Sequence, residues 1–486
     1  MKKITHASFV MGFGTLANIV FGVARAKVSA LVLGVVGVGY LAQANLFITF
    51  LTTLCSFALA SGTSSYLAEA LGEKSQKKYN ATLYLSLKIQ LIATSIFLLI
   101  AFIASNPLAL YIFQTEEYKP LFFVLLLTIP FTVAYNGFFY PLFMGNKDYS
   151  RYTKAMILNG FIVLFFFVSL VYFYKLEGAI ISILIGSVIT FVIFVFWGKK
   201  YYSVKEIASI YKEGEREINS WGLIKFGITN FSNSALNLLT FLLVRTEFIK
   251  KVGVAANGLY QVVFSISSYY QPFLTKGVWG HFYPSLSAAT NNKERNKLLN
   301  DTLRFFLTFT PPIICLLLLV GEYLILLLFS KDFLNAKNLL TFQLSGDYFF
   351  LLSYVYSTSL LAQRRLKIYL FLNGGASLVF LFLFFLLADI TGIKAIVTIH
   401  FLSNCLLFLS LLIYHVKELS MKPDGEVIVL FLYGVVFISA NIFLLEEGYE
   451  IVKFLLIVCW FFLTTTHHQR SSFYEMVLGK LKVIKR

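Results

Sequence analysis

Apolar stretches of roughly 18 to 25 residues recur along the whole of this chain, each long enough to cross a hydrocarbon core of about 30 Å as a helix. No other feature constrains the fold as tightly. Inside a bilayer every backbone N–H and C=O must find a partner within the protein, so segments of this length specify helices and exclude open sheets. Composition agrees: of 486 residues 58% are hydrophobic and 13% charged, and the mean hydropathy is +0.77. A water-soluble domain carries about 25% charge. Fourteen spans are predicted, centred near residues 18, 54, 92, 132, 164, 188, 235, 266, 315, 350, 379, 404, 436 and 459. The expected fold class is an all-α polytopic membrane protein.

The formal net charge of +17 would suggest nucleic acid in a soluble chain. Here the basic residues gather in alternate loops: at 2–3, 74–78, 147–154, 199–225, 293–304, 364–367 and 417–422, and in the tail. The positive-inside rule places those loops and both termini in the cytoplasm, and no nucleic-acid partner is expected. Cys55, Cys315, Cys405 and Cys459 fall inside predicted spans and read as small apolar residues rather than a disulfide or metal set. Neither a metal nor a cofactor is expected.

The chain repeats itself. Arg25, Gly39 and Gln43 are matched by Arg245, Gly258 and Gln261, and the basic turns at 147–154 and 364–367 each precede a span containing Asn-Gly, at Asn159-Gly160 and Asn373-Gly374. An offset of about 214–220 residues across six spans implies two six-helix repeats in parallel orientation. The expected organisation is an N-terminal half at 1–197, a cytoplasmic interfacial linker at 198–222, a second half at 223–415, and two extra spans with a basic tail at 416–486. Gly34, Gly37 and Gly39 are expected to form a short loop between the first two spans.

Polar residues are concentrated in spans 1, 2, 7 and 8. Asn18 and Arg25 share one face of the first span, Asn45 lies on the second, Asn233, Asn237 and Arg245 line the seventh, and Gln261 and Lys276 lie on the eighth. Such residues are costly against lipid, so they face other helices or water. Fixed cations among amides suit an anion attached to a sugar, and arginine binds phosphate oxygens through parallel hydrogen bonds. Asp347 and Glu247 are candidates to bind Na⁺ or H⁺, or to pair with an arginine.

No Gly-x-x-x-x-Gly-Lys-Ser/Thr stretch occurs, so energy is expected from Na⁺, H⁺ or the membrane potential. The outer loops gather no acidic or histidine cluster of the kind glycosyl transfer needs, and no catalytic residues are expected.

The start Met1-Lys2-Lys3, the pattern Gly22-x-x-Arg25 to Leu33-Gly34 to Gly37-x-Gly39, Gly62 with its basic loop, Ala362-Gln363-Arg364 to Lys367 and the double repeat together carry a resemblance. To about residue 415 the chain resembles the polysaccharide and O-antigen flippases of the multidrug/oligosaccharidyl-lipid/polysaccharide exporter superfamily. That resemblance implies a V-shaped bundle of the kind seen in multidrug exporters, alternating access, an undecaprenyl-pyrophosphate-linked oligosaccharide as cargo, residence in a bacterial inner membrane, and polysaccharide polymerase machinery as a partner. The last two spans resemble those of lipid II flippases. A drug/cation antiporter would be expected to carry carboxylates where spans 1 and 7 have Asn and Arg, and a membrane polymerase or glycosyltransferase would need outer carboxylates.

Overall fold

A computed structural model describes residues 2–203, 220–444 and 449–464. Those residues are almost wholly helical, with no strand among them. In chain order the helices are α1 (Lys2–Ser56), α2 (Ala60–Gly72), α3 (Gln76–Ile103), α4 (Ser105–Phe113), α5 (Lys119–Val133), α6 (Tyr140–Gly145), α7 (Tyr149–Gly198), α8 (Ser220–Val252), α9 (Val254–Gly277), α10 (Tyr283–Ala288), α11 (Asn292–Leu319), α12 (Gly321–Leu328), α13 (Lys337–Ala362), α14 (Leu366–Thr391), α15 (Ala395–Lys417), α16 (Gly425–Phe443) and α17 (Glu450–Thr464). Most of the predicted linker, 204–219, and the tail from 465 lie outside the described residues.

All fourteen predicted centres fall in helices, because α1 and α7 each contain two spans. The turn within α1 is Gly34 alone, at φ 63° and ψ −170°, a conformation closed to residues with a Cβ. Gly37 and Gly39 are helical, which corrects the expected three-glycine loop. The second span therefore begins at residue 35 and ends at Ser56. Its predicted centre near 54 lies close to the break at Phe57 and Ala58, both at positive φ. Likewise residue 315 lies near the end of α11, whose first turns are charged and escape a hydropathy window.

The repeat is visible in these turns. Gly253, at φ 107°, joins α8 to α9 as Gly34 joins the first two spans, 219 residues earlier. Lys175 (φ 48°) and Gly392 (φ 54°) join spans 5 to 6 and 11 to 12. The basic turns at Lys147 and Arg364 share one geometry, also seen at Lys74: the basic residue is left-handed, its N–H bonds three residues back, and the next N–H bonds five residues back. This is a Schellman cap, with Lys or Arg where glycine is usual.

Proline shapes the fourth span. Pro141 has no N–H to give and would crowd the carbonyl four residues before it, which is that of Gly137. The chain relaxes into a π-helical turn over Ala134–Phe139, and Gln90 of α3 donates to Gly137 O at 2.8 Å. A second π turn, Val278–Phe282, precedes Pro284.

By contacts the chain divides into two compact units. The first comprises Met1–Val262, Leu326–Leu334 and Ser377–Ile396, and the second Val263–Ile325, Asn335–Ala376 and Val397–Arg486. In the first unit Phe47, Phe113, Phe122, Ile129 and Ile180 form a core where α1, α4, α5 and α7 meet. In the second, Arg304 of α11 pairs with Asp301, Asp424 and Glu426, and Asn300 bonds to Asp424 N and Lys422 O, tying α11 to the start of α16. Of the four cysteines, Cys55 and Cys315 are buried, and all four are free thiols.

Candidate functional site

The predicted polar residues of the first unit separate into two groups. Asn18, Arg25, Asn45 and Asn237 are exposed on α1 and α8, and Asn233 is half-buried. The Asn45 amide donates to Leu41 O at 2.9 Å, and Asn237 reaches Ser377 Oγ at 3.5 Å. Neighbouring Thr49 is exposed as well.

Arg245 belongs to the other group, although it is the repeat partner of Arg25. It is 2% exposed, its Nε donates to Asn257 Oδ1 at 2.8 Å, and its Nη2 donates to Gln261 Oε1 at 3.0 Å. The rings of Phe241 and Tyr260 lie 5.6 and 5.2 Å from the guanidinium carbon. Gln261, expected to face cargo, is half-buried and serves this arginine. In the first half the position matching Asn257 at the glycine offset is Val38, whose side chain accepts no hydrogen bond, and Gln43, the counterpart of Gln261, is buried and donates to Thr246. The two arginines thus have different surroundings by composition.

Around Arg245 the first two spans meet α8 and α9 closely. Asn257 Nδ2 donates to Gly39 O at 2.8 Å, and Gln43 Nε2 donates to Thr246 Oγ1 at 2.7 Å. A Cβ on Gly39 would overlap the carbonyl oxygen of Val254, and one on Gly258 would overlap that of Val35. These are equivalent contacts under the repeat, so a local pseudo-two-fold passes between the two glycines. Nearby, Lys27 Nζ donates to the carbonyls of Leu326 and Phe329 and so caps the end of α12. Glu247 accepts from Tyr111 Oη at 3.3 Å and lies 3.8 Å from Lys250.

In the second unit Lys276 is exposed at the end of α9. Asp347, in the middle of α13, is fully buried. Ser267 and Tyr270 of α9 donate to its Oδ2 at 2.6 and 3.0 Å. Gln343 Nε2 and His400 Nε2 lie 3.2 and 2.9 Å from Oδ1. Ser267, Tyr270, Gln343 and His400 were not singled out from sequence. The available signals were the i, i+4 spacing of Gln343 and Asp347 and a lone histidine in an apolar span. Among the described residues no group of three or more His, Cys, Asp or Glu could hold a metal ion.

A polytopic all-helical chain built on two six-helix repeats, with polar groups exposed on particular spans, has the architecture of a membrane transport protein. The family model for polysaccharide biosynthesis proteins matches residues 17–338, and the chain belongs to that family. It is 23% identical over 383 residues to the lipid III flippase of Escherichia coli (strain K12), covering 76% of this chain and 87% of that protein. The lipid III flippase of Shigella flexneri matches to the same extent. Among solved structures, the lipid II flippase MurJ in an inward closed conformation has a TM-score of 0.68 at 17% identity, covering 98% of this chain and 99% of that one. A multidrug resistance MATE family transporter of the MOP superfamily, inward-facing, has a TM-score of 0.65 at 13% identity, covering 87% and 95%. The relatives are transporters and flippases, and the fold is that of their superfamily.

Proposed function

We propose that this chain flips an undecaprenyl-pyrophosphate-linked oligosaccharide, such as an O-antigen or capsule repeat unit, from the cytoplasmic to the outer face of a bacterial inner membrane by alternating access. The observation that carries this reading is Arg25, exposed with Asn18, Asn45 and Asn237 on the membrane-spanning helices α1 and α8 of one unit. Exposed amides and a guanidinium on spanning helices are costly against lipid, so these side chains face water or cargo. There Arg25 offers the pyrophosphate two parallel N–H bonds, and the amides serve sugar hydroxyls. The 87% coverage of a lipid III flippase supports the cargo class. Lys276 supplies a further exposed cation, and the basic loops orient the termini to the cytoplasm.

Deleting the gene tests the function. Surface polysaccharide is lost and intact lipid-linked units accumulate on the cytoplasmic face. Units that reach the outer face unpolymerised would make the chain part of a polymerising machinery instead, and accumulation of lipid II would make it a lipid II flippase. The site has its own test. Arg25→Ala abolishes export at normal membrane abundance, and Arg25→Lys does not restore it, because an ammonium cannot make the bidentate contact. Normal export by Arg25→Ala removes Arg25 from the site.

A further inference from the structure

We propose that Asp347 and His400 form a proton-binding site in the second unit, and that the proton bound there is the ion that drives transport. The binding site stands on its own geometry, and only its role in the cycle rests on the flippase reading.

Both oxygens of the buried carboxylate are met by groups that present hydrogens: the hydroxyls of Ser267 and Tyr270 on Oδ2, and Gln343 Nε2 and the imidazole on Oδ1. A proton needs only one lone pair of this carboxylate. The tautomer follows from the next contact. Asn404 Nδ2 donates to His400 O at 2.8 Å and lies 3.2 Å from Nδ1, so Nδ1 accepts and Nε2 carries the hydrogen that faces Asp347.

His400 is partly open, its side chain 19% exposed, while Asp347 is wholly buried behind it. A proton therefore enters at Nδ1 and breaks the bond from Asn404. The Nε2 hydrogen then passes across 2.9 Å to Oδ1, leaving a carboxylic acid and the Nδ1–H form of neutral imidazole. One proton is taken up, and the pair goes from one negative charge to none.

An independent observation fits this exchange. Gln343 Oε1 is buried and has no hydrogen-bond partner. In the ionised state Gln343 must turn its NH₂ toward the carboxylate and leave that oxygen idle. Once the charge is gone the amide is free to turn, and Oε1 then accepts from Ser267, 3.2 Å from Nε2, while the new carboxylic O–H donates to His400 Nε2. Uptake of the proton also ends the charge-assisted bonds from Ser267 and Tyr270, which hold α9 to α13.

Among the described residues, α9 carries Lys276 at its exposed end and α15 carries the buried His415, whose Nδ1 lies 2.8 Å from Leu411 O, and the ion pair Asp347 makes is with His400. From α9 come Ser267 and Tyr270, from α15 His400 and Asn404, and from α13 itself Gln343. The next residue, Tyr348, directs its hydroxyl to Phe431 O of α16, and the charges of α11 and α16 at Arg304, Asp424 and Glu426 pair with one another. Gly346 permits the arrangement, since a Cβ there would overlap the His400 ring.

Infrared difference spectra of the purified full chain between acidic and neutral buffer provide the test. A protonated-carboxyl band appears in acid, is absent in Asp347→Asn, and is displaced in His400→Gln and Gly346→Ala, equally with and without sodium. A carboxylate response to sodium at fixed pH, or an acid band that survives in Asp347→Asn, would overturn the site. Should Asp347→Asn fail to accumulate, an unchanged band in both His400→Gln and Gly346→Ala overturns it. The transport role is read separately. Asp347→Asn at normal abundance loses export, and retained export refutes coupling. If gene deletion leaves lipid-linked sugars on their normal face, the flippase reading fails while the spectra still decide the site.

Discussion

Gly258→Val, and likewise Gly39→Val, lowers membrane abundance and abolishes export. At each position the added side chain meets a backbone carbonyl, of Val35 in one case and Val254 in the other, and neither lies on a side chain that can rotate away. Overpacking of this kind costs roughly 1–3 kcal/mol and sometimes more, and a backbone obstruction within two helices puts these variants at the upper end. The loss also breaks the 2.8 Å bond from Asn257 to Gly39 O, and Asn257 holds Arg245 in turn. Because both glycines serve a single crossing, the double variant Gly39→Ala/Gly258→Ala should be destabilised by less than the sum of its singles. Thermal unfolding of the purified variants measures this. Wild-type stability in both single alanine variants would mean that the close crossing is not held in the functioning protein.

The membrane fold was legible because one physical quantity, the length of an apolar run, decides it. The turns were less so. A left-handed backbone leaves a mark in sequence only where glycine supplies it, as at Gly34 and Gly253; Lys74, Lys147, Lys175 and Arg364 adopt positive φ without any such mark. Hydropathy sets the centre of the second span too late, near 54, because a window does not register the one-residue turn at Gly34. The polar stripes were found by periodicity, which says which residues share a face but not what that face meets. Arg25 and Arg245 therefore looked alike, although Asn257 and Gln261, twelve and sixteen residues past Arg245, bury only the second. For the same reason nothing local marks His400: its partners come from α9 and α13, distant in sequence, and no local spacing links them.

Arg245→Ala tests that distinction directly, and its effect should be on stability first. Removing the guanidinium takes from the buried Asn257 Oδ1 its donor, and an unsatisfied buried polar group costs about 1–3 kcal/mol. The contact with Phe241 and Tyr260 adds about 2 kcal/mol at a desolvated site, and part of the vacated volume stays empty. The variant should unfold at a much lower temperature and be scarce in membranes, whereas Arg25→Ala, altering an exposed side chain, lowers stability far less and loses export. Arg245→Lys keeps the charge but cannot reach both amides with a planar fork, so it falls between wild type and alanine. Export should follow abundance across the Arg245 series. A stable Arg245→Ala protein that fails to export would return this arginine to the cargo site and give the two repeats matching roles after all.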